Sequence, residues 1–154
     1  MNYLFSLYGD WLTWVNATLG GVRLLKVPMS NVTTFASAAH GPLGQVSTTT
    51  AGDGIEWGIP TTDGTRITSV SADVVPGAGC TLSLQLWVVT PNVSHVQVGS
   101  TITSSGTALQ TLTLSGLTID IVNTDRKTYV LQVTQTVGTT ASGIDNVGMT
   151  STVL

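Results

Sequence analysis

From residue 66 to residue 154 the chain runs in short stretches of alternating apolar and Thr, Ser or Gln residues, each broken by Gly, Pro, Asn or Asp. Leu82, Leu84, Leu86 and Val88 share one parity, with Thr81, Ser83, Gln85 and Val89 on the other. Tyr129, Leu131 and Val133 alternate in the same way with Val130, Gln132 and Thr134. Side chains two residues apart lie on one face of a strand, so these runs predict antiparallel strands with one buried and one wet face. Strands are expected over residues 55–59, 66–75, 81–90, 96–98, 109–114, 117–122, 128–135 and 146–153. Pro60, Pro76-Gly77, Pro91-Asn92, Ser104 to Gly106, Ser115-Gly116, Asn123 to Lys127 and Gly138 to Gly143 mark the breaks between them. The break at Asn123 to Lys127 is expected to be a hairpin loop that sets Ile119 and Ile121 beside Tyr129, Leu131 and Val133. Eight strands in two sheets predict an all-β, jelly-roll-like antiparallel sandwich. An immunoglobulin-like sandwich would need a Cys-Trp-Cys spacing that is missing.

The first 54 residues are patterned differently. Leu4, Tyr8, Trp11, Val15 and Leu19 recur at intervals of three and four, which predicts a helical arm over residues 2–19 with Gly20-Gly21 as its stop. Five of the nine aromatic residues (Tyr3, Phe5, Tyr8, Trp11 and Trp14) fall within this arm. Such a surface has to dock, on its own sandwich or on another subunit. Asp10 within the apolar stretch, with no basic start and no small-residue cleavage pattern, argues against a leader peptide. Asn2, Ser6, Gly9, Asp10, Thr13 and Asn16 interrupt any run long enough to cross a bilayer. Residues 22–27 form a short strand candidate ended by Pro28, and residues 30–54, rich in Ser, Thr, Ala and Gly, read as an extended connector. The expected organisation is therefore an arm and connector over 1–54 and a sandwich over 55–154.

Composition narrows the function. Only 8% of the 154 residues are charged and the formal net charge is -3, so surface polarity rests on hydroxyls and amides. Arg23, Lys26, Arg66, Arg126 and Lys127 form no basic patch, which argues against nucleic acid. Cys80 is the only cysteine and reads as a small buried thiol.

Catalytic constellations are missing too. Glu56 is the only glutamate, and Asp53, Asp63, Asp73, Asp120, Asp125 and Asp145 sit mostly in turn contexts, where a carboxylate bonds its own backbone. His40 and His95 are the only imidazoles, both expected in loops, and no G-x-S-x-G elbow, phosphate loop or zinc spacing occurs. No catalytic residue, metal ligand, cofactor or small-molecule substrate is expected. Trp57 and Trp87 remain as aromatic candidates for stacking on a sugar. Trp57, in the Gly-bounded run GIEWGI, is the better contact residue on this reading, and Trp87 reads equally as a platform and as a cover for the outer face of its strand beside Val89.

The segment LTIDIVNTDRKTYVLQVTQTVGTTASGIDNVGMTSTV joins an aliphatic strand, an Asn/Asp turn, a Y-x-L-x-V run, a Gly/Thr loop and a closing V-x-M-x-S-x-V strand. It resembles the end of small β-sandwich domains in virion proteins of tailed bacteriophages, a pattern that extends over residues 66–154. Those domains include capsid decoration (cement) proteins and fibre tips. The resemblance implies a structural, non-enzymatic protein on the capsid surface, a homotrimer bound to the major capsid protein, with no membrane partner. Under that expectation Tyr3, Phe5, Tyr8, Trp11, Trp14 and Trp57 are the partner-binding residues. A receptor- or glycan-binding tip of a phage fibre or spike is the alternative, with Trp57 and His95 at the contact surface.

Overall fold

A computed structural model describes residues 22–28, 32–40, 45–91, 93–122 and 127–154, with the backbone alone for 22, 23 and 26–28. Eleven strands follow one another among these residues: β1 (Val22–Pro28), β2 (Thr33–Phe35), β3 (Ala39–His40), β4 (Val46–Thr48), β5 (Gly54–Gly58), β6 (Thr65–Val75), β7 (Thr81–Thr90), β8 (Ser94–Thr103), β9 (Gln110–Ile121), β10 (Thr128–Val137) and β11 (Ser142–Val153). No helix among the described residues is long and apolar enough to cross a membrane.

Two antiparallel sheets stack face to face. The five-stranded sheet has the order β2-β5-β10-β7-β8. In the six-stranded sheet the order is β3-β4-β11-β6-β9, and β1 also pairs with β11, opposite residues 146–152, beyond the stretch 142–144 that faces β4. Between the sheets, Leu82, Leu84 and Leu86 of β7, Leu131 and Val133 of β10 and Ile55 of β5 meet Ile67, Val70 and Val74 of β6 and Ile144 of β11, all essentially without solvent contact. Burying each such side chain contributes roughly 1.5–3 kcal/mol, and the alternation of the sequence is the record of this layer.

Two irregularities in the strand pairing are bulges. Residues 109–114 and 117–122, expected as two strands, are joined in the single strand β9, which runs from Gln110 to Ile121. Gly116, at φ +72°, lets β9 carry extra residues where β6 passes from Ile67 to Ser69, so that Leu114 and Leu117 both face inward despite their opposite parity. The short run expected at 96–98 likewise extends to the full length of β8, with Gly99 at φ +72° where the register against β7 shifts between Leu84 and Leu86. The expected hairpin between β9 and β10 is also corrected: β9 pairs with β6 in one sheet, and β10 pairs with β5 and β7 in the other. Ile119 and Ile121 therefore belong to the opposite layer from Tyr129 and Leu131 instead of standing beside them as cross-strand neighbours.

The described residues of the connector expected over 30–54, namely 32–40 and 45–54, are part of the sandwich. β2 extends one sheet through β5, β4 pairs with β11 in the other, and Val32, Ala38 and Val46 reach the core. Asp53 fastens this segment. Only 1% exposed, its carboxylate accepts hydrogen bonds from the backbone N–H groups of Ser37 (2.8 Å), Thr49 (2.8 Å) and Thr50 (2.9 Å) and from the Thr49 hydroxyl (3.1 Å). The Thr49 N–H, working against desolvation and helped by the other donors, lowers its pKa from 3.8 to about 2.

Beside it, Thr48 donates to Gln135 Oε1 at 2.7 Å, and Gln135 Nε2 donates to the Gly138 (3.0 Å) and Thr140 (3.3 Å) carbonyls. The Cys80 thiol donates to the Thr140 carbonyl at 3.1 Å and is buried, as its composition-based reading expected. The helix expected over 2–19, with Tyr3, Phe5, Tyr8, Trp11 and Trp14, lies outside the described residues.

Candidate functional site

Strand parity decides which aromatic residues are displayed. On β5, Ile55 and Trp57 point into the core and Glu56 points out. Trp57 is 5% exposed and packs within the core cluster, so its assignment to a contact surface is corrected. It shares the parity of Ile55 and Ile59, both buried, and this is the signal that locates it. Trp87 has the opposite parity to Leu82, Leu84 and Leu86 and stands on the outer face of the five-stranded sheet.

The outer face is laid out by the register. Thr33, Glu56, Gln132 and Gln85 form one row across β2, β5, β10 and β7. In the next row stand Gly58, Val130, Trp87 and Gln97, across β5, β10, β7 and β8. Thr128, Val89 and His95 make a third. With strands about 4.8 Å apart, each four-residue row runs on the order of 14 Å across the sheet.

A groove of about 350 Å³ opens here, lined by Glu56, Trp87, Val89, His95, Val130 and Gln132. Gly58 adjoins it, with open space where a side chain would stand. Its lining combines an indole and two valines with two side chains that carry planar carboxyl or amide groups and one imidazole, which is the mixture of apolar floor and few polar groups expected of a binding site.

The polar groups hold one another in place. Gln132 Nε2 donates to Glu56 Oε1 at 3.2 Å. Gln85 Nε2 and Gln97 Nε2 both donate to Thr101 Oγ1 at 3.0 Å, and Gln85 Nε2 also reaches Gln97 Oε1 at 3.4 Å. With its oxygen accepting twice, the Thr101 hydroxyl keeps its own proton for a further acceptor. The Trp87 indole N–H is covered and has no acceptor among the described residues, an unpaired donor of the kind that calls for a water or a bound group.

The remaining chemical candidates are dispersed. Asp53 is structural, Asp73 accepts from Thr111 (2.7 Å) and Asn146 (3.4 Å), and Asp120 forms a two-pronged pair with Arg66, one prong at 2.9 Å. That hydrogen-bonded guanidinium lowers the pKa of Asp120, and the carboxylate raises that of Arg66. His40 lies exposed on β3 and His95 on β8, on different sheets. Among the described residues no three His, Cys, Asp or Glu side chains gather where they could hold a metal ion.

No protein-family model and no curated protein sequence matches the chain. Solved structures do. A CBM22-2 xylan-binding domain from Paenibacillus barcinonensis Xyn10C superimposes with a TM-score of 0.57 at 10% identity, over 84% of this chain and 99% of that one. The xylan-binding module CBM15 gives 0.53 at 18% identity, over 86% and 97%. A CBM36 module in complex with calcium and xylotriose gives 0.53 at 15%, over 82% and 98%. A family two carbohydrate esterase from Cellvibrio japonicus gives 0.51 at 6% identity, and there the chain spans 35% of the esterase's length. These likenesses show the fold, a jelly-roll-like β-sandwich, as the alternation of the sequence predicts.

Proposed function

We propose that the chain is a non-catalytic carbohydrate-binding sandwich that takes a glycan on the outer face of its five-stranded sheet. The observation that carries this reading is the groove around Trp87, edged by Gln132, Glu56 and His95 and continued by the Gln85-Gln97-Thr101 cluster. A sugar ring presents an apolar C–H face and a rim of hydroxyls. The first suits an indole, and the second suits side-chain amides, each of which donates and accepts in one plane. Dispersed acids and separated histidines suit binding without bond cleavage. Similarity of fold to modules named for xylan and xylotriose supports the same reading.

The test is a glycan array probed with the full chain and with Trp87→Ala. Binding that the variant loses supports the site. No glycan bound by the intact protein, or equal binding by the variant, overturns it.

Capsid decoration is the second proposal, and it draws on the five aromatic residues between Tyr3 and Trp14 and on the sparse charge of the sequence. Under it the protein is a trimer clasping the major capsid protein. A native mass of the chain alone and mixed with capsids, with and without residues 1–20, checks it. Unchanged capsid binding by the truncated chain removes the arm as the anchor. A glycan-binding tip on a phage fibre would satisfy both the groove and the virion resemblance.

A further inference from the structure

Among its described lining residues, the groove carries a single carboxylate. We infer that Glu56 makes it a charge filter, admitting neutral glycans and disfavouring sugars that carry a carboxylate. This inference rests on the reading of the groove as a glycan site.

Around Glu56 on the outer face of the five-stranded sheet, Thr33, Gly58, Gln85, Trp87, Val130 and Gln132 carry no ionisable group. Glu56 sits in the row next to Trp87, and Gln132 Nε2 holds its Oε1 at 3.2 Å. The facing titratable group in the groove is His95, at its other lining edge, and Lys127 stands just ahead of β10. The side-chain hydrogen bond that Glu56 accepts comes from a neutral amide, that of Gln132.

A ligand carboxylate brought into this recess meets a like charge at close range, with water partly displaced by the groove walls. Repulsion of that kind is modest at a wet surface and larger where water is excluded. For a hydroxyl, the same Glu56 oxygens are acceptors. One side chain thus binds a neutral sugar and turns away an acidic one, so specificity arises from a repulsive element as much as from an attractive one.

The experiment compares binding of xylohexaose with that of a xylo-oligosaccharide of equal length bearing one glucuronic acid branch, for the intact chain, Glu56→Gln and Glu56→Lys. A neutral-glycan array is run alongside. The expected result is that the intact chain binds the neutral sugar roughly three- to tenfold more tightly than the acidic one, and that this ratio shrinks as salt is raised. Glu56→Gln brings the ratio close to one, and Glu56→Lys inverts it. The ratio is the readout because a general loosening of the groove would weaken both sugars together.

If the intact chain binds both sugars equally, or if the ratio survives in both variants, the filter is overturned while the glycan site stands. If no neutral sugar binds in either format, the site reading falls and the filter with it.

Discussion

The two outer faces of the sandwich obey the same strand alternation yet present opposite surfaces. On the six-stranded sheet, Thr111, Thr113 and Ser115 of β9 stand beside Asp73, Ser71 and Ser69 of β6, and these beside Asn146, Gly148 and Thr150 of β11. Short hydroxyl side chains give these rows an even surface, pinned at one end by Arg66 and Asp120, and the groove of about 430 Å³ on this sheet lies beyond them at the β4 end, beside Ser47, Val75 and Gly143. Across the five-stranded sheet the equivalent rows hold long amides, an indole and Gly58, so tall and absent side chains stand next to each other and the surface is recessed. Exposure alone does not make a binding face. Relief does, together with groups that can donate and accept in a plane.

That contrast can be broken at several levels. The largest effect is expected from removing what both faces share. Asp53→Asn leaves the backbone N–H groups of Ser37, Thr49 and Thr50 with a poorer acceptor and should cost about 1.5–3 kcal/mol, read as a lower urea midpoint with both faces lost together. The pH dependence has a definite sign. A carboxyl whose pKa falls from 3.8 to about 2 on folding stabilises the native state fully above pH 3.8, and that contribution disappears as the pH drops through 2. The asparagine variant should lack this part of the acid profile, as urea titrations between pH 2 and 5 would show.

Next comes the recess itself. Trp87→Ala should weaken glycan binding at least tenfold, about 1.4 kcal/mol, in calorimetry against whichever sugar the array identifies. Gly58→Leu should weaken it by a similar or smaller factor by raising the floor. Its backbone needs no positive φ and a Cβ there meets open space, so the melting temperature should hold. The smallest effect is expected on the even face: Ser71→Ala with Thr113→Ala should change glycan affinity less than about twofold. A large loss there would place the ligand on the wrong sheet in this account.

Much of the sandwich was legible because its long strands repeat the period-two pattern often enough to be read, and β7 is the clearest case, with the expected and observed bounds the same at residues 81–90. β2, β3 and β4 were not, since two or three residues cannot show a period and their placement depends on partners far along the chain. Gly116 reads as a break between strands, although a left-handed glycine within a strand also serves a bulge. For the site, parity already separated Trp57 from Trp87, and the flanking glycines of GIEWGI were the misleading cue. Nothing local could bring Glu56, Gln132 and Trp87 together, because their adjacency is a product of register between β5, β10 and β7.

β11 occupies the middle of its sheet, bonded to β6 along one edge and to β4 and β1 along the other. On a ribosome, then, three earlier strands wait with open edges until residues 142–153 leave the exit tunnel, and the layer that backs the groove can close only at that moment. Slow, late assembly with a window for mispairing is the expected biography of such a chain.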